Sequence, residues 1–386
     1  MQVLTSEKLP IKLWADEIEE GALQQAKNLA NFPFASSHIA LMPDVHQGYG
    51  MPIGGIMATK GVVVPNAVGV DIGCGMCAVR TKRQDMSRDE VKCVMGKIPE
   101  VVPVGFNKHE KPQEEWLDYT DFAALKELTG ESVVYREYEK STYQIGTLGG
   151  GNHFIELQMG NDGFIWVMVH SGSRNLGKQV ADHYNKLAKL HNERWASAVP
   201  ASLDLAFLPL ASEEGAAYLL EMEYCVDFAL TNRLIMMNRI EEALGEEFSD
   251  IINIAHNYAR IERWRGEQVV VHRKGATSAR KGELGIIPGS QGSASYIVCG
   301  KGSAESFASC SHGAGRRMGR KEAQRSLRLE DEKKRLDDLG VVHGIRSEKD
   351  LDEAAGAYKD IGEVMLQQRD LVEVLVKLRP LGVVKG

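Results

Sequence analysis

The stretch FIWVMVHSGSRNLGK, residues 164–178, runs six apolar residues into a glycine turn and then satisfies GxxxxGK over Gly172–Lys178. Read as a phosphate loop, it would make the chain a P-loop NTPase. Two residues oppose that reading. Gln179 stands where such a loop needs a Ser or Thr for its cation, and His170 closes the strand immediately before the turn. The better reading is a buried strand that ends on a histidine, a rigid mount for a side chain left open to a ligand.

The same setting recurs. His153 follows three glycines in GGGNHF, His256 ends the apolar run INIA, and His312 sits in CSHGAGR ahead of a basic segment. VGVDIGCGMC, residues 68–77, places Asp71 and Cys74 on a glycine-rich turn. Imidazole, thiolate and carboxylate are the usual ligands of divalent transition metals. Asp71, Cys74, His153, His170 and His256 make one ligand more than a closed tetrahedral site requires. A bridging thiolate would let them serve two ions, an arrangement suited to phosphoryl chemistry. Softness alone points to zinc for such a set. Cys77 completes a lone CxxC, a weak signal, and is expected in the core. His38, His109, His183, His191 and His343 lie in polar or helical contexts and are expected at the surface.

Composition limits the classes. Hydrophobic residues make up 43% and charged residues 26% of 386, as in an ordinary globular chain. The formal charge of -7 opposes a generic nucleic-acid coat, yet HRKGATSARK (272–281) and GRRMGRK (315–321) are strongly basic, so a basic cleft on an acidic body is compatible with it. The six scattered cysteines and the absence of a secretory pattern at the N-terminus point to reduced thiols and a cytoplasmic location. No stretch approaches the ~18 apolar residues of a membrane helix, so no membrane is expected.

Periodicity predicts an α+β fold, a single large domain over residues 1–386 with mixed β-sheets in the core surrounded by helices. Helices are expected at ADEIEEGALQQAKNLANF, at EEWLDYTDFAALKELTG, and at YLLEMEYCVDFALTNRLIMMNRIEEALGEE, the longest. KEAQRSLRLEDEKKRLDDLG is expected as one charged helix and the terminal DIGEVMLQQRDLVEVLVKLRP as another. Strands are expected from residue 40 to 80, at INIAHNY, at EQVVVHRKG and at SYIVCGKG.

LMPDVHQGYG, VGVDIGCGM, LGGGNHFIE, VHSGSR, HNYA, RKGATSA, IIPGSQG, CSHGAGR and the terminal VKG, in this order, closely resemble the RtcB family of RNA-splicing ligases. The resemblance runs from about residue 40 to the last. It implies an RNA ligase that joins a 3'-phosphate or 2',3'-cyclic phosphate end to a 5'-hydroxyl end, using GTP and two Mn²⁺. Asp71, Cys74 and His153 would hold one ion, and Cys74, His170 and His256 the other, with the glycines letting the backbone approach them. His312 would be the nucleophile that carries GMP. Asn152, Phe154, Glu156, Ser290, Ala314, Gly315, Tyr358 and Lys385 would contact the guanine nucleotide, and Arg174, Lys274, Arg316 and Arg320 the RNA phosphates. Asp44 would support the metal site or the strand joint. An archease-type activator is a further implied partner.

Asn175, where many relatives carry glycine, and the extra glycine in GGGNHF depart from the family pattern without removing a ligand. Together with a shorter middle region they point to a paralogue that repairs damaged RNA rather than one serving tRNA splicing. The main alternative is a two-metal phosphoesterase or nuclease without the GTP step, which would keep its activity without His312. A zinc- or RNA-binding protein without turnover is the third.

Overall fold

The computed structural model describes residues 1–113 and 131–386, so the helix expected at EEWLDYTDFAALKELTG lies outside the described residues. Two large sheets organise them. The first has six strands in the order β1 (Gln2–Leu4), β2 (Ile11–Leu13), β3 (Ala35–His46), β4 (Ile53–Thr59), β12 (Glu267–Lys274) and β11 (Asn257–Trp264). Only β2 and β3 pair in parallel. The second has seven: β10 (Phe248–Ala255), β6 (Gly75–Thr81), β8 (Ile165–Ser171), β7 (Phe154–Gly160), β17 (Val372–Lys385), β15 (Ser295–Gly300) and β14 (Leu284–Ile287). Short pairs join β13 (Ala276–Ser278) to β16 (Ser309–Ser311) and β5 (Val62–Val63) to β9 (Leu208–Pro209). The α+β expectation holds.

The seven-stranded sheet is apolar on both faces because it is covered on both. One face presents Cys77, Val79, Leu157, Val167 and Val169 to helix Glu213–Leu244 through Met236, Met237 and Ile240. The other face, with Met76, Trp166, Met168, Ile286, Ile297 and Leu378, packs on itself. The sheet curls until its outer strands β10 and β14 lie side by side. This double burial explains why FIWVMV shows no alternation. Helix Glu213–Leu244 is fixed at both ends: the Ser212 hydroxyl accepts from Gly215 N at 3.1 Å, and Gly245 closes it with φ of 66°.

Three expectations need correction. The terminal segment is helical only over Ile361–Gln367; from Val372 to Lys385 it is β17, inserted between β15 and β7. VEVLVKL has β-branched residues at alternate positions, and the two partner strands supply its hydrogen bonds from distant parts of the chain. The charged helix breaks at Leu327 and Arg328 into Arg320–Ser326 and Leu329–Asp338. His38 is buried, not at the surface: its ring stacks on Phe307 at 4.3 Å and its Nε2 meets Glu305 O at 2.8 Å. Among the described residues no helix is long and apolar enough to cross a membrane.

Candidate metal centre and nucleotide pocket

The turn Asp71–Cys74 leads into β6. Its glycines serve a purpose other than approach to a ligand. Gly73, at φ of 73°, would put a Cβ 2.9 Å from Cys225 O of the long helix, and a Cβ on Gly75 would lie 1.9 Å from Ile254 O of β10. Bare backbone therefore lets the turn wedge between helix and strand. Asn257 ties it from the third side: Gly73 N donates to Asn257 O at 2.9 Å, and the Asn257 amide donates to Asp71 O at 3.1 Å.

Four distant segments meet here. His170 lies at the end of β8, His153 immediately before β7, and His256 between β10 and β11. Cys74 Sγ stands 3.5 Å from His153 Nε2 and 3.3 Å from His170 Nε2, and His153 Nε2 is 3.3 Å from Asp71 Oδ2. Donor atoms of Asp71, Cys74 and His153 lie within 4.8 Å of one another, as do those of Cys74, His170 and His256. A sulfur and a nitrogen bound to one tetrahedral ion at ~2.3 and ~2.0 Å stand ~3.5 Å apart, so the spacing fits metal ligation. The far nitrogens are oriented as ligands require: His153 Nδ1 faces Leu148 O and His170 Nδ1 faces Asn152 O, each at 3.0 Å. The buried Nδ1 of His256 has no hydrogen-bond partner among the described residues. Burial, reinforced by the Asp71 charge, pushes the Cys74 thiol well up, so a thiolate here needs a cation beside it. Burial also drives His170 and His256 well down, keeping their lone pairs free. The two sets therefore fit two ions sharing one sulfur.

His312 adjoins the second set, its ring 5.0 Å from that of His256. Asp44, fully buried on β3, accepts from the His312 ring Nδ1 at 2.6 Å, from His312 N at 3.0 Å and from Gly313 N at 3.3 Å. Burial opposes its ionisation, but the His312 charge and hydrogen bond outweigh this and hold the Asp44 pKa below the usual carboxylate value. A neutral imidazole that donates from Nδ1 carries its lone pair on Nε2. The sequence reading had Asp44 at the metal site or the strand joint; it grips His312.

The nucleotide candidates line up with this centre. Register places His170, Phe154 and Lys385 in one row across β8, β7 and β17. Lys385 Nζ lies 5.7 Å over the Phe154 ring, and Phe154 meets His170 edge-on at 5.5 Å. Ser290 and Tyr358 line a cavity of about 190 Å³ with Arg317 and Lys359. Asn152 contributes its carbonyl to His170, and the buried Ala314 and the positive-φ Gly315 pack close by, a Cβ on Gly315 falling 2.3 Å from Asp44 O.

The basic candidates divide. Arg174 stands at the metal centre, its Nη1 3.4 Å from His153 Nδ1 and its Nε donating to Thr147 Oγ1 at 3.2 Å. Arg316 and Arg320 both converge on Glu353, at 3.0 and 2.8 Å, and the Tyr358 hydroxyl donates to the same carboxylate. Lys274 is buried, its ammonium donating to Tyr49 O at 2.6 Å and Asn66 O at 3.0 Å, and burial pushes its pKa down to about 7. It ties loop backbone together beside Gly275, on which a Cβ would lie 3.1 Å from His312 Cε1.

Comparison with known proteins follows this geometry. A family model described as tRNA-splicing ligase RtcB matches residues 25–386. The chain belongs to the RtcB family. An RNA-splicing ligase RtcB of Escherichia coli is 39% identical over 412 aligned residues, covering 100% of this chain and 99% of the relative. A tRNA-splicing ligase RtcB of Thermococcus kodakarensis is 30% identical, covering 98% and 95%. The RNA-splicing ligase RtcB homolog 1 of Entamoeba dispar is also 30% identical, covering 94% and 82%. Membership of the RtcB family makes the chain an RNA ligase of splicing or repair.

Sequence reasoning missed three residues that brace the candidate site. Glu353 anchors the arginines, and Asn232 and Arg233 hold the ligand loops from inside the long helix. The polar pair within ALTNRLIMM was the signal for the latter.

Glu156 gives a testable pH effect. Burial pushes its pKa up to about 8, against the Gln158 hydrogen bond and the Lys385 charge. A folded-state pKa above the unfolded value means that the folded chain holds the extra proton, so stability falls as pH rises from ~4.5 to about 8. Glu156→Gln is expected to flatten that decline and to stabilise the protein at pH 9, by ~5 kcal/mol at most. Thermal unfolding of both forms at pH 6 and pH 9 checks it; parallel slopes would contradict the assignment.

Proposed function

We propose that the chain joins RNA ends bearing a 3'-phosphate or 2',3'-cyclic phosphate to 5'-hydroxyl ends through a covalent His312–GMP intermediate, with residues 1–386 acting as one catalytic domain. The observation that carries this reading is the Asp44 carboxylate on His312 Nδ1 at 2.6 Å, beside a metal-competent triad.

Asp44 fixes the tautomer, so His312 Nε2 attacks the α-phosphorus of GTP; a P–N bond forms and pyrophosphate leaves with the broken P–O bond. Once the imidazole is an imidazolium phosphoramidate, Asp44 stabilises its charge and makes it a good leaving group. An RNA 3'-phosphate oxygen then attacks the same phosphorus, the P–N bond breaks, and the end becomes RNA-3'-pp-5'-G. The 5'-hydroxyl of the second fragment attacks the 3'-phosphorus, losing its proton, and GMP departs. A cyclic phosphate is first hydrolysed to the 3'-phosphate. Bound at Asp71, Cys74 and His153 and at Cys74, His170 and His256, two Mn²⁺ would neutralise charge developing on the phosphoryl oxygens. Asn152, Phe154, Glu156, Ser290, Ala314, Gly315, Tyr358 and Lys385 are assigned to the nucleotide. Phe154 and Lys385 offer the base a ring and an ammonium, and Tyr358 lines the adjoining cavity. Arg174 is placed to steady the RNA phosphate at the metal centre, with Arg316 and Arg320 assigned to phosphates nearer the nucleotide. The natural partners are broken RNAs, with an archease-type activator as an accessory, in the cytoplasm.

Incubation with GTP and Mn²⁺ tests the reading. Label on the α-phosphorus is expected to stay on the denatured protein, stable to alkali and lost in acid as a phosphoramidate is, while γ-label is not retained. Addition of 3'-phosphate RNA should discharge it. Ligation without any protein-bound label would sink the proposal.

A further inference from the structure

Asn232 and Arg233 interrupt the apolar run of helix Glu213–Leu244, and both are fully buried. A guanidinium inside a core is costly unless its donors are used. Arg233 uses them on backbone: Nη1 donates to Gly73 O at 3.0 Å and to Ser171 O at 2.8 Å, and Nη2 to Ile254 O at 3.2 Å. Its Nε donates to the Asn253 side chain at 2.8 Å. Gly73 precedes Cys74, Ser171 follows His170, and Ile254 stands two residues before His256. One planar fork therefore holds a carbonyl next to, or two from, each member of a single triad.

The other triad is held differently. His153 is set by Leu148 O, which also accepts from Ser171 Oγ at 2.7 Å. Asn232 fastens the same loop, accepting from Gly146 N at 2.7 Å and Thr147 N at 3.1 Å and donating to Ser171 Oγ at 3.1 Å. Asn232 thus ties the loop before His153 to the segment after His170, at Ser171 Oγ and at Gly172 O, each at 3.1 Å. Arg233 instead holds the segments of Cys74, His170 and His256 and makes no bond to the loop before His153.

We infer that Arg233 is a positioning residue for the ion held by Cys74, His170 and His256, and that it acts on this ion rather than on its neighbour. The inference rests on the reading of the two triads as metal sites. The rigid fork fixes three loops against one another; a lysine, with a compact head on a flexible stem, keeps the charge but not the spacing. Groups that orient ligands in this way typically change metal affinity by 10–100-fold when removed.

The test is Mn²⁺ titration of the metal-free full-length chain, read by the electron paramagnetic resonance signal of free Mn²⁺, with thermal unfolding of the metal-free protein alongside. The wild type should take up two ions. Arg233→Lys should bind one with unchanged affinity and the other at least ~10-fold more weakly, excess Mn²⁺ restoring full occupancy. In a His153→Ala background, which keeps only the Cys74, His170 and His256 set intact, the whole loss should appear; in His256→Ala none should. Equal weakening of both ions, or no change in either, overturns the inference. If Arg233→Lys does not fold, Asn253→Ala, which frees the Arg233 Nε and the Leu230 carbonyl but leaves the three Arg233 bonds to the site loops, should give a ~3-fold loss with the same selectivity, and an unselective or absent loss overturns it. A wild type that binds fewer than two ions sinks the metal reading itself, and shows this before any variant is made.

Discussion

His312→Ala is expected to abolish covalent uptake of the GTP α-phosphate, and Asp44→Asn to lower its rate by roughly 10³-fold or more although the nucleophile remains. The scale follows from carboxylate-oriented imidazoles in general, where an amide in place of the carboxylate leaves the geometry but favours the wrong tautomer. Here the carboxylate oxygen accepts from His312 Nδ1, His312 N and Gly313 N together. An asparagine oxygen can keep those bonds but cannot stabilise the imidazolium that forms as Nε2 bonds to the phosphorus. Its NH₂ would also take the place of Asp44 Oδ1, a buried atom with no partner among the described residues, at a cost of ~1–3 kcal/mol in stability. The measurement is the rate of label incorporation at saturating GTP, with Mn²⁺ binding as the control expected to stay unchanged. An Asp44→Asn protein that labels at the wild-type rate would remove the tautomer argument, and a labelled His312→Ala protein would remove the nucleophile.

The candidate ligands were legible because each occupies a place where sequence pattern and the geometry of the cluster coincide. His170 follows an uninterrupted apolar strand, and His256 and His153 stand where a strand begins or ends, so their positions needed only local signals. Asp44 was visible as a motif residue, but its partner was not, because 268 positions separate it from His312. Non-local pairing also explains β17. VEVLVKL read as a continuation of a helix until the two strands that flank it, far back in the chain, are present to take its hydrogen bonds. Lys274 shows the opposite limit: a basic run looks like a phosphate contact, and only packing reveals an ammonium already bound to two carbonyls. Likewise His38 carries no local sign that Phe307 will stack on it.

Cys74 is the position at which both triads can be tested with one substitution. Its sulfur belongs to each donor set, so Cys74→Ala leaves two pairs of ligands, Asp71 with His153 and His170 with His256, in place of two triads. Two neutral or singly charged donors hold a divalent ion weakly against water, and the expected outcome is loss of both ions on gel filtration and a fall in ligation of at least ~10³-fold. His153→Ala, by contrast, should retain one ion. The side chain is small and 2% exposed, so the cavity left by removing its sulfur should cost only ~1 kcal/mol, and the metal-free variant should unfold within a few degrees of the metal-free wild type. Metal analysis after gel filtration, paired with thermal unfolding, separates loss of the ions from loss of the fold. Two tightly held ions in Cys74→Ala would mean that the thiolate does not bridge the two donor sets.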